Sequence, residues 1–184
     1  GFMSLTGEPD GAPQKAGIAY ADIFTGMYSA VAILAALRRR DVTGEGAHVD
    51  MALLDSQVAV LANQAANYLA SGVAPKRMGN AHANVVPYQV FATADGQLVI
   101  AVGNDGQYRR LCAILGVPEW GDDPRFANNA ARLANRAELI PLLAAKIAAW
   151  EAQPLSLALE AEGVPAGPIN DLAQVFADPQ VQAR

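Results

Sequence analysis

The run YQVFATADGQLVIAV, Tyr88–Val102, decides the fold of the second half of the chain. Residues 88–93 and 97–102 are both rich in β-branched and aromatic side chains, which favour strands. Between them stands Ala94-Asp95-Gly96, in which the glycine is able to supply a positive φ. The sequence therefore predicts a β-hairpin that turns around Gly96.

Helical patterns follow this hairpin and make the second half a small α+β module. Apolar residues recur at helical spacing, with proline-containing breaks between the segments. The predicted helices are at about 106–115, 128–133, 137–150 and 155–162. Pro165 and Pro168 then favour an extended segment, and Asp171 is placed to cap a last helix that ends near Phe176.

The first half is predicted to be mainly helical. Apolar residues at helical spacing indicate a buried helix from Asp22 to Arg40, capped by Asp22. Residues 43–46 form a turn, 48–53 a short strand and 54–70 a second helix, with Asp55 as its cap. Glycine and proline break the pattern between Ser71 and Pro87, where we expect a long loop and a domain boundary.

Composition excludes several classes of function. A net charge of −5 disfavours nucleic-acid binding, which needs clustered cations. His48 and His82 have no second ligand at a recognised metal spacing, so we expect no metal site. No apolar run is expected to reach membrane-spanning length, and Cys112, the sole cysteine, is expected to be a buried thiol of a reducing compartment. These features predict a soluble, cytoplasmic protein without membrane partners.

Asp22 is the candidate catalytic residue, with two interpretations open from the residues alone. A carboxylate at a helix start is usually a cap. Small neighbours and the free N–H groups of a first turn also favour an ionised, accessible carboxylate, which is able to act as a nucleophile. Residues 103–106 lack the glycine pattern and the lysine of a phosphate loop, so nucleotide binding is not predicted.

Blocks of sequence along the whole chain resemble the class III (CaiB/BaiF) CoA-transferase family. They share the composition and the order of that family's signatures. The blocks are MSLTGEPDGAP at 3–13, YADIFTGMY at 20–28, TGEGAHVD at 43–50, LLD at 53–55, GNAH at 79–82 and GVPAGP at 163–168.

The resemblance implies an α/β protein with a Rossmann-like large domain, a small α+β domain and an interlocked homodimer. Residues 1–72 are then the C-terminal portion of the large domain, and further residues are expected before Gly1. Residues 73–163 form the small domain, and 164–184 return toward the large domain.

The resemblance also implies a reaction. The position of the family's nucleophile is Asp22, which is expected to attack an acyl-CoA thioester and to carry the CoA as an aspartyl thioester until a carboxylic acid collects it. The loop Gly79, Asn80, Ala81, His82 is expected to act as a lid over the intermediate, although it lacks the family's run of glycines. The CoA thioester is a substrate, and no separate cofactor is expected.

Two alternatives remain. Some relatives are α-methylacyl-CoA racemases, which use the equivalent aspartate in acid/base catalysis. Residues 23–27, directly after Asp22, are more similar to the transferases. A glutamate is expected after the second strand of the hairpin, and Asp105 stands at that position. The second alternative is a fragment that is inactive by itself and only folds and self-associates.

Overall fold

The computed structural model describes all residues, 1–184, and divides between Gly79 and Asn80 into two units. The first unit, Gly1–Gly79, is helical. Its helices are α1 (Phe2–Leu5), α2 (Tyr20–Thr43), α3 (Leu53–Ala59) and α4 (Ala62–Ser71). The division falls within the predicted 71–87 loop, whereas the assignment of segments to a large domain, a small domain and a return segment stays a prediction.

Helix α2 is longer than predicted and ends at a left-handed glycine. Gly44, at φ 75°, donates its N–H to the Arg40 carbonyl over 2.7 Å, which is a common way to end a helix. No residue of α2 is buried within the structure, so the prediction of a buried helix is wrong for this unit. Its apolar side chains have too few partners among residues 1–79 to be covered.

Helix α2 is also long and apolar enough to cross a membrane, by length and composition only. The expectation that no apolar run reaches that length is therefore wrong. The core helix of a soluble protein can have the same length and composition, so these two properties do not distinguish it from a membrane-spanning helix.

Two further predictions in the first unit are corrected. No strand forms at 48–53, because no other strand of this unit lies beside it to complete its hydrogen bonds. The predicted helix at 54–70 is broken into α3 and α4, with Ala62 at a positive φ of 46° where the second begins. Asp55 lies in the first turn of α3 and does not cap it.

The second unit, Asn80–Arg184, is the predicted mixture of helices and a small antiparallel sheet. Strands β1 (Tyr88–Ala92), β2 (Gln97–Ala101) and β3 (Ala166–Pro168) lie in the order β1-β2-β3. The remaining elements are α5 (Asp105–Ile114), a 3₁₀ turn (Pro118–Gly121), α6 (Asn129–Ala134), α7 (Arg136–Ile147), α8 (Ala152–Ala161), α9 (Leu172–Ala177) and α10 (Pro179–Gln182).

The hairpin is confirmed, but its turn is not built as predicted. Gly96 has no positive φ. The Asp95 carboxylate instead accepts hydrogen bonds from the Thr93 hydroxyl, at 3.1 Å, and from the Ala152 N–H, at 2.8 Å. These bonds lower the pKa of Asp95, the Ala152 bond most. A side chain therefore holds the turn and ties it to the start of α8.

All the buried apolar side chains of the chain lie in the second unit. They run from Val86 to Val164 and pack as one cluster between the sheet and helices α5, α7 and α8. Asp171 caps α9 as predicted, in a reciprocal pair with Gln174.

Candidate active site

Asp22 lies in the first turn of α2, at the third helical residue, with its side chain exposed. The N-cap is Ala19, and no side chain caps the helix, so the prediction that Asp22 is the cap is wrong. The Asp22 carboxylate forms neither an ion pair nor a hydrogen bond to another side chain. An uncommitted carboxylate at the positive end of a helix is suited to nucleophilic attack.

An open cavity of about 490 Å³ adjoins the start of α2. Its wall includes Ala19, Tyr20 and Ala21 immediately before Asp22, and Lys15 is its one cationic side chain. The Tyr20 ring packs on Phe2, with centroids 4.1 Å apart, which orders this wall. The cavity gives a ligand room beside the helix turn that carries Asp22.

Gly79 begins the predicted lid loop and belongs to the first unit. Its N–H donates to the Gly7 carbonyl over 3.1 Å. Its φ is +57°, and a Cβ added there would come within 3.1 Å of the Glu8 carboxylate. The positive φ therefore favours a glycine at this end of the loop, whereas the flexible end of the Glu8 side chain could shift away from an added Cβ.

His82 ends the loop and belongs to the second unit. Its N–H donates to the Tyr88 carbonyl over 2.9 Å, and its ring stacks on Tyr88 with centroids 5.1 Å apart. Asn80 and Ala81, between the two held ends, form no such backbone bonds. Asp22 and Gly79 thus lie in the first unit and Asn80, Ala81 and His82 in the second, and the lid role stays a prediction.

Three polar residues that sequence reasoning missed hold the segment after His82. The Arg136 guanidinium donates to the His82 and Ala83 carbonyls at 2.6 and 3.3 Å. Asn129 accepts from the Val86 N–H at 3.1 Å and donates to the Asn84 carbonyl at 2.9 Å. Asn129 and Arg132 lie on α6 and Arg136 begins α7, so no single helix pattern in the sequence groups them, and only the fold brings them to the loop.

Arg132 is fully buried. Its guanidinium donates to the Val86 carbonyl at 2.6 Å, to the Phe126 carbonyl at 3.0 Å and to Asp105 at 2.8 Å. It also lies 4.5 Å from the centroid of the Tyr108 ring. This network explains how a charged side chain is tolerated in the core.

No group of three or more His, Cys, Asp or Glu side chains is placed to hold a metal ion. Cys112 is buried, as predicted, and desolvation raises the pKa of its thiol to about 11. It is therefore protonated at neutral pH and is not a candidate nucleophile.

A family model described as CoA-transferase family III matches residues 1–184. The chain is 59% identical over 184 residues to a succinate–glutarate CoA-transferase of Agrobacterium fabrum, covering 100% of this chain and 46% of that protein. It is 42% identical over 181 residues to a human succinyl-CoA:glutarate CoA-transferase, covering 98% of this chain and 41% of that protein. The chain thus spans less than half the length of these relatives.

Solved structures agree with these matches. A CaiB/BaiF family protein from Brucella suis is 57% identical, with a TM-score of 0.75, over 100% of this chain and 48% of that one. A Mycobacterium tuberculosis protein described as hypothetical is 30% identical, with a TM-score of 0.86 and the same coverage. Since sequence and fold agree along its full length, this chain belongs to CoA-transferase family III.

Proposed function

We propose that the protein of which this chain is a part transfers coenzyme A from an acyl-CoA donor to a carboxylic acid, with Asp22 as the covalent nucleophile. The observation that carries the proposal is the exposed, uncommitted Asp22 carboxylate in the first turn of α2, within a chain that matches the family throughout. The adjoining cavity gives a thioester room to approach this turn.

The reaction proceeds through two kinds of covalent intermediate on Asp22, a mixed anhydride and a thioester. An Asp22 carboxylate oxygen attacks the thioester carbonyl, the C–S bond breaks, and the CoA thiolate departs. A mixed anhydride between the donor's acyl group and Asp22 remains on the enzyme. The thiolate then attacks the Asp22 carbonyl carbon, which releases the donor's acid and forms an aspartyl–CoA thioester. Covalent catalysis of this kind divides one difficult exchange into easier steps.

The acceptor completes the cycle by the reverse sequence. Its carboxylate attacks the aspartyl thioester and expels the CoA thiolate, giving a second mixed anhydride. The thiolate attacks the acceptor's carbonyl carbon, so that the new acyl-CoA leaves and the Asp22 carboxylate is regenerated. Water must be kept from both intermediates, because hydrolysis of either would waste the thioester. A lid role for residues 79–82 would serve this purpose.

We further propose dicarboxylic acids of four or five carbons as substrates. The support is that relatives 59% and 42% identical to the chain are named for succinate or succinyl-CoA and glutarate. A homodimer, a cytoplasmic location and the absence of a membrane partner or further cofactor belong to the same proposal. The lone, buried Cys112 fits a reducing compartment.

The test uses the full-length protein and an Asp22→Ala variant. Each is incubated with succinyl-CoA and then with hydroxylamine, which converts an activated aspartyl group into a stable hydroxamate, and the peptide containing residue 22 is weighed. We expect a thioester-dependent hydroxamate at Asp22 in the wild type and none in the variant. Absence of the adduct, together with exchange of the α-proton in heavy water, would favour the racemase alternative instead.

A further inference from the structure

The loop of residues 6–14 connects two walls of the cavity beside Asp22. One wall belongs to α1, and the other is the segment 15–21 that leads into α2. The neck of the loop is closed by the Gln14 N–H, which donates to the Thr6 carbonyl over 3.0 Å. The position of the second wall relative to the first therefore depends on the conformation of this loop.

Arg77 holds the tip of the 6–14 loop. Its Nε donates to the Glu8 carbonyl over 3.2 Å, and its Nη2 donates to the Gly11 carbonyl over 2.6 Å. These carbonyls belong to the two ends of a turn, since the Gly11 N–H donates to the Glu8 carbonyl over 3.0 Å. Gly79, two residues after Arg77, donates to the Gly7 carbonyl beside this turn. One side chain thus fixes both ends of the turn.

The loop has little room to adjust around Arg77. Gly7 has a φ of +119°, and a Cβ added there would come within 2.9 Å of the Ala12 carbonyl oxygen, which is main chain. The same Cβ would lie 3.3 Å from the Arg77 Cδ and 3.3 Å from the Gln14 Cγ. The Arg77 guanidinium forms no ion pair, so its hydrogen bonds are given to the main chain of the loop.

We propose that Arg77 is a positioning residue for the reaction at Asp22. By holding the 6–14 loop, its guanidinium keeps the wall 15–21 in the conformation that admits the acyl-CoA thioester. This inference rests on the proposed function and deepens it. When a binding-competent conformation is only partly populated, the apparent affinity falls by that fraction, whereas the reaction of the bound complex is unchanged. Loss of Arg77 is therefore expected to weaken thioester binding more than it slows the chemical steps.

The experiment follows the loading of Asp22 with CoA in the full-length protein. Wild type and Arg77→Met, which keeps an apolar stem without the donors, are mixed with increasing concentrations of succinyl-CoA, and the CoA-carrying protein is measured by mass against time. The final loaded fraction counts the competent molecules. In Arg77→Met we expect the concentration for half-maximal loading rate to rise about 3- to 30-fold, and the maximal rate constant per competent molecule to stay within about twofold.

Three further variants accompany this comparison. Arg77→Lys keeps the charge with a single donating group and is expected to shift the half-maximal concentration by an intermediate amount; it carries the test if the methionine variant does not fold. Gly7→Ala disturbs the loop from the opposite side, where the added Cβ meets the Ala12 main chain, and is expected to reproduce the shift. Arg39→Met removes an exposed arginine that pairs with Glu45 and is expected to keep the wild-type values.

Hydrogen exchange supplies a readout that needs no activity. The Gly11 and Gln14 N–H groups are both hydrogen-bonded in the structure. We therefore expect peptides that cover residues 6–14 to exchange faster in Arg77→Met and in Gly7→Ala than in wild type. Exchange at the wild-type rate in Arg77→Met would show that the loop does not depend on this arginine, and the inference would be wrong.

The outcomes separate this inference from the proposed function. If wild type carries no CoA on Asp22, the proposed function itself fails, whatever the exchange of the loop. If wild type loads normally but Arg77→Met lowers only the maximal rate constant, or only the final loaded fraction, Arg77 does not position the thioester site. A higher half-maximal concentration in both Arg77→Met and Gly7→Ala, with a partial return in Arg77→Lys, supports the inference.

Discussion

Burial of Cys112 makes the stability of the second unit sensitive to alkaline pH. The thiol is fully buried, and its pKa is raised from 9.0 to about 11. Desolvation is the main cause, and it outweighs the Tyr108 hydrogen bond and the Arg132 charge, which both lower this pKa. Desolvation also raises the pKa of Tyr108. The folded core therefore holds these protons at pH values where the unfolded chain has begun to release them.

We expect this linkage to reduce stability between about pH 9 and pH 11. Well below pH 9 the Cys112 thiol is protonated in both the folded and the unfolded state and contributes no pH dependence. As pH rises further, the unfolded chain releases the proton first, so the free energy of unfolding falls, by about 2 to 3 kcal/mol in total from this group. Urea unfolding of the full-length protein at a series of pH values measures the fall.

A Cys112→Ala variant isolates the thiol from the lysines and tyrosines that titrate in the same range. The variant is expected to start less stable, because it leaves a small cavity, but to lose less stability with rising pH. Parallel curves for the two proteins would show that Cys112 does not carry the effect.

At the scale of elements, Arg132 joins three parts of the second unit. It bonds the Val86 carbonyl before β1, the Phe126 carbonyl before α6 and the Asp105 carboxylate at the start of α5. The guanidinium is fully buried, whereas Asp105 is 43% exposed. Loss of the Arg132 guanidinium would leave the Val86 and Phe126 carbonyls without this hydrogen-bond donor. The resulting loss of folding free energy is larger than that from breaking a surface ion pair.

We predict that Arg132→Met lowers the free energy of unfolding by about 3 kcal/mol, with Arg132→Lys intermediate because it keeps the charge but not the three-way donation. The matched control is Arg109→Met, which breaks an ion pair that is 52% and 82% exposed and is expected to change stability by less than about 1 kcal/mol. Chemical denaturation of each variant gives the values. Equal losses at both positions would contradict a special role for Arg132.

Sequence periodicity located α5, α7 and α8 because each of these helices buries apolar side chains in the core of the second unit. Polar contacts between residues far apart in the chain leave no comparable pattern in the sequence. Arg132 and Val86 are 46 residues apart, and an arginine in a helix is usually exposed. The same limit applies to Arg136, whose contacts with the loop at His82 follow from the fold alone. The sequence therefore indicated the candidate nucleophile and loop, but not the residues that hold the loop.

Local patterns also misled where an element depends on neighbours outside its own segment. Residues 48–53 have a strand-like pattern but no partner strand in the first unit. Residues 54–70 have a continuous helical pattern, which does not show the break at Ala62. The sequence pattern predicts Asp22 as a cap, although the helix begins two residues earlier, at Tyr20. Helix ends are less determined by periodicity than helix interiors.

At the scale of the whole molecule, the two units differ in how much apolar surface they bury by themselves. Every buried apolar side chain has a number of 86 or higher, whereas the first unit buries only Ser56. Large apolar side chains of α2 remain exposed, among them Ile23, Met27 and Leu34. Because hydrophobic burial is the main force that offsets chain entropy, the second unit alone has the means to fold independently.

We therefore predict that residues 80–184, expressed alone, unfold in one cooperative transition, and that residues 1–79 do not. Near-ultraviolet circular dichroism of Trp120 and Trp150, both packed on the core, reports the tertiary structure of the 80–184 piece during urea unfolding. For residues 1–79 we expect non-cooperative unfolding and binding of a hydrophobic dye, because its apolar helix faces lack a core of their own. Cooperative unfolding of that piece would contradict this account.

A matched pair of leucine substitutions tests whether the 80–184 piece keeps the described core. Leu143 is fully buried, and Leu143→Ala is expected to lower the free energy of unfolding by about 2 to 5 kcal/mol through the cavity that it leaves. Leu157 is 58% exposed on α8, and Leu157→Ala is expected to change stability by less than about 1 kcal/mol. If both variants lost the same stability, the isolated piece would not contain this core, and its independent folding would need another explanation.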